Sequence, residues 1–133
     1  MTADPDRVSR LLLHYAALAN QERVIEERLA CGDDLDAGDR QGLTPLHLAA
    51  QQGAVEAARI LLDHGAEVDR VNVFGNSALF IAVFNSPGRG DMIALLRERG
   101  ADPRLANKSG QTPVGLARLI ANYDVARFFA DLP

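Results

Sequence analysis

The segment Gly42-Leu43-Thr44-Pro45-Leu46-His47-Leu48-Ala49-Ala50 returns 33 residues later as Gly75-Asn76-Ser77-Ala78-Leu79-Phe80-Ile81-Ala82-Val83. It returns once more, 35 residues on, as Gly110-Gln111-Thr112-Pro113-Val114-Gly115-Leu116-Ala117. Going back 33 residues, Leu13-His14-Tyr15-Ala16-Ala17 falls on Leu46-His47-Leu48-Ala49-Ala50. A period of this size marks an array of stacked supersecondary units, none of which buries its apolar face alone. The second half of the unit repeats too, since Ile60-Leu61-Leu62-Asp63-His64-Gly65-Ala66 matches Leu95-Leu96-Arg97-Glu98-Arg99-Gly100-Ala101. Leu29-Ala30-Cys31-Gly32 and Phe128-Phe129-Ala130 occupy the same places in the first and last units. The register gives four units, at about 5–38, 39–71, 72–106 and 107–133, in a single domain spanning 1–133.

Each residue type in the unit has a local reason. Thr44 stands where a helix N-cap belongs, with a hydroxyl able to accept from a first-turn N–H. Pro45 follows at the first helical position, where its missing N–H costs nothing. Leu46, Ala49 and Ala50 then share one face. Gly53 ends this short helix, Val55 to Leu62 form a second one, and Gly65 closes it in the left-handed conformation. These residues, with the Thr44-Pro45-Leu46-His47-Leu48-Ala49 run and the Gly65-Ala66 step, resemble the ankyrin repeat. The resemblance implies an all-α solenoid of four helix–turn–helix units with short β-hairpin or turn connections.

The units depart from one another. The first has Arg10, Leu11 and Leu12 in place of Thr-Pro and reads as a terminal cap, with Asp4 or Asp6 capping its first helix. The last stops at Asp131-Leu132-Pro133, directly after its second helix, which also suits a cap. The family histidine is Phe80 in the third unit and Gly115 in the fourth, so the hydrogen bonds it makes to the Thr hydroxyl and backbone are in doubt there. A helix-interior glycine costs about 1 kcal/mol against alanine, and the expectation is that the Phe80 ring fills the space Gly115 leaves. The third unit carries two extra residues in the loop Asn85-Ser86-Pro87-Gly88-Arg89-Gly90-Asp91.

Chemistry-bearing motifs are sparse. His14 and His47 fall at equivalent repeat positions, which favours a structural role, and His64 reads as a solvated helix-end residue. No spacing of His, Cys or carboxylates suits a metal. Asp33, Asp34, Asp36 and Asp39 imitate a calcium loop, but Gly38 falls one place early for a loop opening at Asp34 and no Glu closes it. Arg89-Gly90-Asp91 spells an adhesion tripeptide of the sort that arises by chance, and Asp91 has the local task of opening a helix. Neither a phosphate-binding glycine loop with Lys nor a nucleophile elbow is present. Cys31 is the lone cysteine and reads as a small core or cap residue. No enzyme, cofactor or small-molecule substrate is expected.

A net charge of −4 without a basic stripe argues against nucleic acid. With no run of apolar residues near membrane length and no secretory signal pattern, the expectation is a soluble cytoplasmic protein without a membrane partner. All but one of the 14 basic residues are Arg, which suggests a GC-rich, bacterial coding source.

In ankyrin proteins the concave face is built from hairpin tips and the inner surface of each first helix. Carried over by position, the partner-binding residues are Arg40, Gln41, Leu43, Gln51 and Gln52 in the second unit. In the third they are Val73, Phe74, Asn76, Phe84 and Asn85. In the fourth they are Lys108, Ser109, Gln111, Leu119 and Ile120. Leu18 and Ala19 extend the row into the first unit, and Arg40, Arg70, Arg104 and Lys108 supply a charged rim. Val73, Phe74, Phe84, Leu119 and Ile120 are apolar where the core asks for no apolar group, which suggests a contact surface. The implied function is binding of another protein. Two alternatives are an immunity protein that neutralises a cognate toxin and a regulatory or self-associating scaffold. The first follows from the similarity of Phe80-Ile81-Ala82-Val83-Phe84-Asn85-Ser86 and Ile120-Ala121-Asn122-Tyr123-Asp124 to small ankyrin proteins found beside bacterial toxin genes.

Overall fold

The computed structural model describes residues 11–85, 90–120 and 124–133. Asp4, Asp6, Arg10, the 86–89 part of the long loop with Arg89, and residues 121–123 lie outside the described residues. Along the chain run α1 (Leu12–Leu18), α2 (Glu22–Ala30), α3 (Pro45–Gln52), α4 (Val55–Asp63), α5 (Ala78–Asn85), α6 (Asp91–Glu98) and α7 (Pro113–Leu119). A 3₁₀ turn, Ala126–Phe129, occupies the place of an eighth helix. Helices α1, α3, α5 and α7 pack in succession as one layer, and α2, α4 and α6 stack behind them as a second. This is the all-α repeat solenoid the period implies.

Local chemistry sets the helix starts. The Thr44 hydroxyl accepts from His47 N–H at 3.3 Å, that of Thr112 from Gly115 N–H at 3.0 Å, and that of Ser77 from Phe80 N–H at 3.2 Å. Pro45 and Pro113 take the first helical positions. Gly53 and Gly65 follow α3 and α4 with φ of 68° and 97°. Close stacking of the inner layer depends on one small residue per unit. Ala16, Ala49, Ala82 and Ala117 are all buried, and helix separation is set by the side chains at the contact. Leu13, Leu61, Leu79, Ile93, Leu96 and Phe129 fill the space between the layers.

The connections take the turn form, and none of the described residues forms a β-strand. Each tip is closed by two backbone bonds. Asp39 N–H donates to Leu43 O at 2.9 Å, Asn72 N–H to Asn76 O at 3.0 Å, and Asn107 N–H to Gln111 O at 2.8 Å, while Gly42, Gly75 and Gly110 N–H donate back to the carbonyls of Asp39, Asn72 and Asn107. The side chain of the same residue completes the turn. Asp39 Oδ1 accepts from Gln41 and Leu43 N–H, Asn72 Oδ1 from Phe74 and Asn76 N–H, and Asn107 Oδ1 from Ser109 and Gln111 N–H. Asp and Asn suit this work because their short side chains bond backbone two residues ahead.

Candidate functional site

The tips and the inner helix layer form one continuous surface because backbone bonds join tip to tip. Val73 N–H donates to Gln41 O at 3.0 Å, and Lys108 N–H to Phe74 O at 3.1 Å. Two histidines add rungs below the tips. His14 Nε2 meets Leu43 O and His47 Nε2 meets Asn76 O, each at 3.0 Å. Thr44 N–H donates to His47 Nδ1 at 3.0 Å, so Nδ1 is the acceptor and Nε2–H the donor. Burial holds the His47 imidazole below its ordinary range, consistent with a neutral ring. These are structural histidines. Phe80 brings no such donor, and the third and fourth units are joined instead by Asn107 Nδ2 donating to Asn76 Oδ1 at 2.8 Å.

On this frame stands an apolar row. Phe74 is 59% exposed on the third tip, Phe84 is 70% exposed at the end of α5, and Leu119 is 71% exposed at the end of α7. Val73 is also exposed. Around them Arg40, Gln41, Gln51, Gln52, Asn85, Lys108, Ser109 and Gln111 are exposed. Arg70 forms an ion pair with Glu67 at 2.9 Å. A shallow hollow of about 170 Å³ opens between Asn76, Phe80, Ile81, Phe84 and Asn85. A larger one, about 340 Å³, is lined by Gly110, Gln111, Thr112, Gly115, Leu116 and Leu119.

Three of the carried-over positions are otherwise engaged. Leu43 is buried, its N–H held by Asp39 and its carbonyl by His14, so its side chain belongs to the core rather than to a contact surface. Asn76 is half-buried, with its amide oxygen, N–H and carbonyl all bonded. Ile120 is half-buried against the core. The pairing of Phe80 with Gly115 is also not found. A Cβ on Gly115 would meet only the Thr112 hydroxyl, at 2.9 Å, and Phe80 does not approach it. Cys31 is exposed at the C-cap of α2, a cap residue but not a core one.

The acidic cluster dissolves into separate tasks. Asp33 makes a two-pronged bond to Arg28, with both distances 2.9 Å, and the guanidinium lowers its carboxyl. Asp36 accepts from Glu67 N–H at 3.1 Å, while burial raises its carboxyl. Asp39 builds the second tip. Among the described residues no group of three or more His, Cys, Asp or Glu is placed to hold a metal. None of their helices is long and apolar enough to cross a membrane. The 340 Å³ hollow went unforeseen, though the sequence held its signal: a glycine at the repeat position that carries His14, His47 and Phe80.

A family model for ankyrin repeats, in three copies, matches residues 13–107. Mouse ankyrin repeat domain-containing protein 13B is 44% identical over 72 residues, covering 53% of this chain and 12% of that protein. Human BCL-6 corepressor-like protein 1 is 35% identical over 121 residues, covering 91% of this chain and 6% of that protein. NF-kappa-B inhibitor alpha from Gallus gallus is 39% identical over 59 residues, 44% of this chain and 19% of that protein. The chain thus spans a small fraction of the length of these relatives.

Proposed function

The chain belongs to the ankyrin-repeat family, and on that premise we propose that it is a non-catalytic module that holds a partner protein against its tip-and-inner-helix face. The carrying observation is the set Phe74, Phe84 and Leu119, large apolar side chains on the third tip and at the ends of the inner-layer helices α5 and α7, that stay exposed although the core lies next to them. Aromatic anchors ringed by polar groups dominate binding energy at protein interfaces, and Gln41, Gln51, Gln52 and Asn85 supply such a ring. Lys108 places positive charge at the fourth tip, which favours a partner with acidic groups at its rim.

Relatives named as an NF-kappa-B inhibitor and a BCL-6 corepressor-like protein support a module that binds another protein. In this reading the four units, 5–38 to 107–133, act as one domain. A cytoplasmic setting fits the exposed free thiol of Cys31. The immunity and self-associating readings gain no support from the geometry, and 121–123, on which the first partly rests, lie outside the described residues.

The test is capture from lysate by the wild-type chain and by a Phe74→Arg/Phe84→Arg variant, with native circular dichroism of the variant shown first. A protein held by the wild type and lost by the variant supports the face. Equal capture by both removes it.

A further inference from the structure

The end of the tip row beyond the fourth unit is an open copy of the two junctions inside the array. At each internal junction a tip glycine lies against the backbone of the following tip. A Cβ on Gly42 would come within 3.2 Å of Asn72 Cα and Val73 N, and one on Gly75 within 2.9 Å of Lys108 N. At each, a tip carbonyl also accepts a backbone N–H, Gln41 O from Val73 and Phe74 O from Lys108. In register, the next members are Ser109 O and Gly110. Gly110 has the same backbone, with φ of 79° as at Gly75, yet a Cβ there would meet nothing within 4 Å. Among the described residues no donor reaches Ser109 O. Beside them lies the 340 Å³ hollow floored by Gly115, Leu116 and Leu119.

We propose that this end is a second recognition site, which takes a single extended or turn-forming protein segment. A backbone N–H of the segment bonds Ser109 O, its main chain passes against Gly110, and a large apolar side chain fills the hollow beside Leu116 and Leu119. The occupant is a lone segment rather than a further stacked unit or a second copy of the solenoid. The position that is Ala50 and Val83 inside the array, both buried under the next unit, is Arg118 here. Its guanidinium is exposed and donates to Leu132 O at 3.2 Å and Pro133 O at 3.0 Å. A full unit would have to strip that charge of its water and bury it with only those two carbonyls to hold it, at high cost, whereas a segment confined to the tip half leaves it in water.

This inference rests on the reading of the chain as a protein-binding module and shares Leu119 with the apolar row, but it does not rest on Phe74 or Phe84. The discriminating variant is Gly110→Asn. Asn tolerates the left-handed backbone, and the new Cβ points into open space, so the fold stays intact. An incoming main chain would collide with it, as the inner tips would with a Cβ on Gly42 or Gly75. The probe is a phage-displayed library of random linear peptides panned on the wild-type chain, with the enriched peptides synthesised and titrated. The proposal expects peptides sharing one large apolar residue, which perturb the Ser109, Gly110 and Leu119 amide resonances. Their affinity should fall about tenfold or more in Gly110→Asn and in Leu119→Arg, and stay unchanged in Phe74→Arg/Phe84→Arg. Peptides lost only in the phenylalanine variant would leave the face standing and overturn the end site. The absence of any enriched peptide would overturn it too. So would a concentration-dependent dimer of the wild type, abolished by Gly110→Asn, because it would make the occupant a second copy.

Discussion

Gly90 lies against the ring of Phe128 so closely that a Cβ on Gly90 would clash with three carbons along the ring's edge. Gly90 precedes α6, and its carbonyl accepts from Ala94 N–H at 2.8 Å. Phe128, in the terminal 3₁₀ turn, also carries Arg127 stacked over its ring, 4.8 Å from the centre. The contact fastens the last unit to the start of the preceding unit's second helix. Gly90→Ala must displace the ring, and overpacking of this kind costs about 1–3 kcal/mol. Thermal unfolding followed by circular dichroism should show a clear drop in Tm. The double variant with Phe128→Ala should lose less than the two single changes added together. An unchanged Tm for Gly90→Ala would show that the ring is free to move aside.

His47 makes stability depend on pH. Burial lowers its pKa below the ordinary 6.5, so the unfolded chain takes up the proton first. The contribution of the neutral ring is fully present above about pH 6.5 and declines as pH falls towards the folded-state value. Protonation would set a proton on Nδ1 against Thr44 N–H, 3.0 Å away. Tm should fall between about pH 7 and about pH 5, and His47→Gln should lose that part of the slope. The same variant should be less stable at neutral pH by about 1–3 kcal/mol, through the unpaired Thr44 amide and the loss of one of the two bonds at the Asn76 carbonyl, which keeps Asn72 N–H. An identical pH slope in both proteins would place the dependence on another group.

The repeat register made most of this architecture legible. Thr44, Pro45, Leu46 and Gly53 act locally, so their sequence neighbours declare what they do. The tip residues Asp39, Asn72 and Asn107 were harder to read, because their work shows only when the turn closes and their side chains reach two residues ahead. Leu43 was misplaced because it was carried over by position from the family's contact face, and position alone does not say that this side chain is buried. The glycine–phenylalanine fit was sought at Gly115 and Phe80, one register step apart, but occurs at Gly90 and Phe128. That pair joins the terminal turn to the long loop of the third unit, whose extra residues the register does not govern. Exposure of Phe74, Phe84 and Leu119 was legible because the family pattern leaves those positions out of the core.

Phe74→Arg and Leu46→Ala separate surface from core. Phe74 is 59% exposed and Leu46 only 2%. A surface change away from caps and buried networks alters stability by about 0.5 kcal/mol or less, while a buried Leu→Ala costs about 2–5 kcal/mol. Chemical denaturation should leave the midpoint of Phe74→Arg near the wild type and move that of Leu46→Ala far down. A large loss in Phe74→Arg would mean that the ring packs on its own tip and is no anchor.

Arg97 ties the chain's last turn back to α6 in three ways. It pairs with both oxygens of Asp131 at 2.7 and 2.8 Å, donates to Phe128 O at 3.0 Å, and lies 5.3 Å from the centre of the Phe129 ring. The hydrogen bonds from Arg97 hold the Asp131 carboxyl down to about 2, from an ordinary 3.8. A carboxyl lowered in the folded state contributes above its unfolded value and loses that contribution as pH falls through 3.8 towards 2. Because Asp131 is exposed, salt screens the Coulombic part, and the effect on overall stability is small. The direct readout is the Asp131 carboxyl itself, followed by carbon-detected NMR through an acid titration. Its midpoint should lie near 2 in the wild type and return towards 3.8 in Arg97→Gln, a variant that also gives up the bond to Phe128 O. A wild-type midpoint already at the ordinary value would show that the pair does not persist in solution, leaving the Phe129 contact and the Phe128 carbonyl to hold the last turn in place.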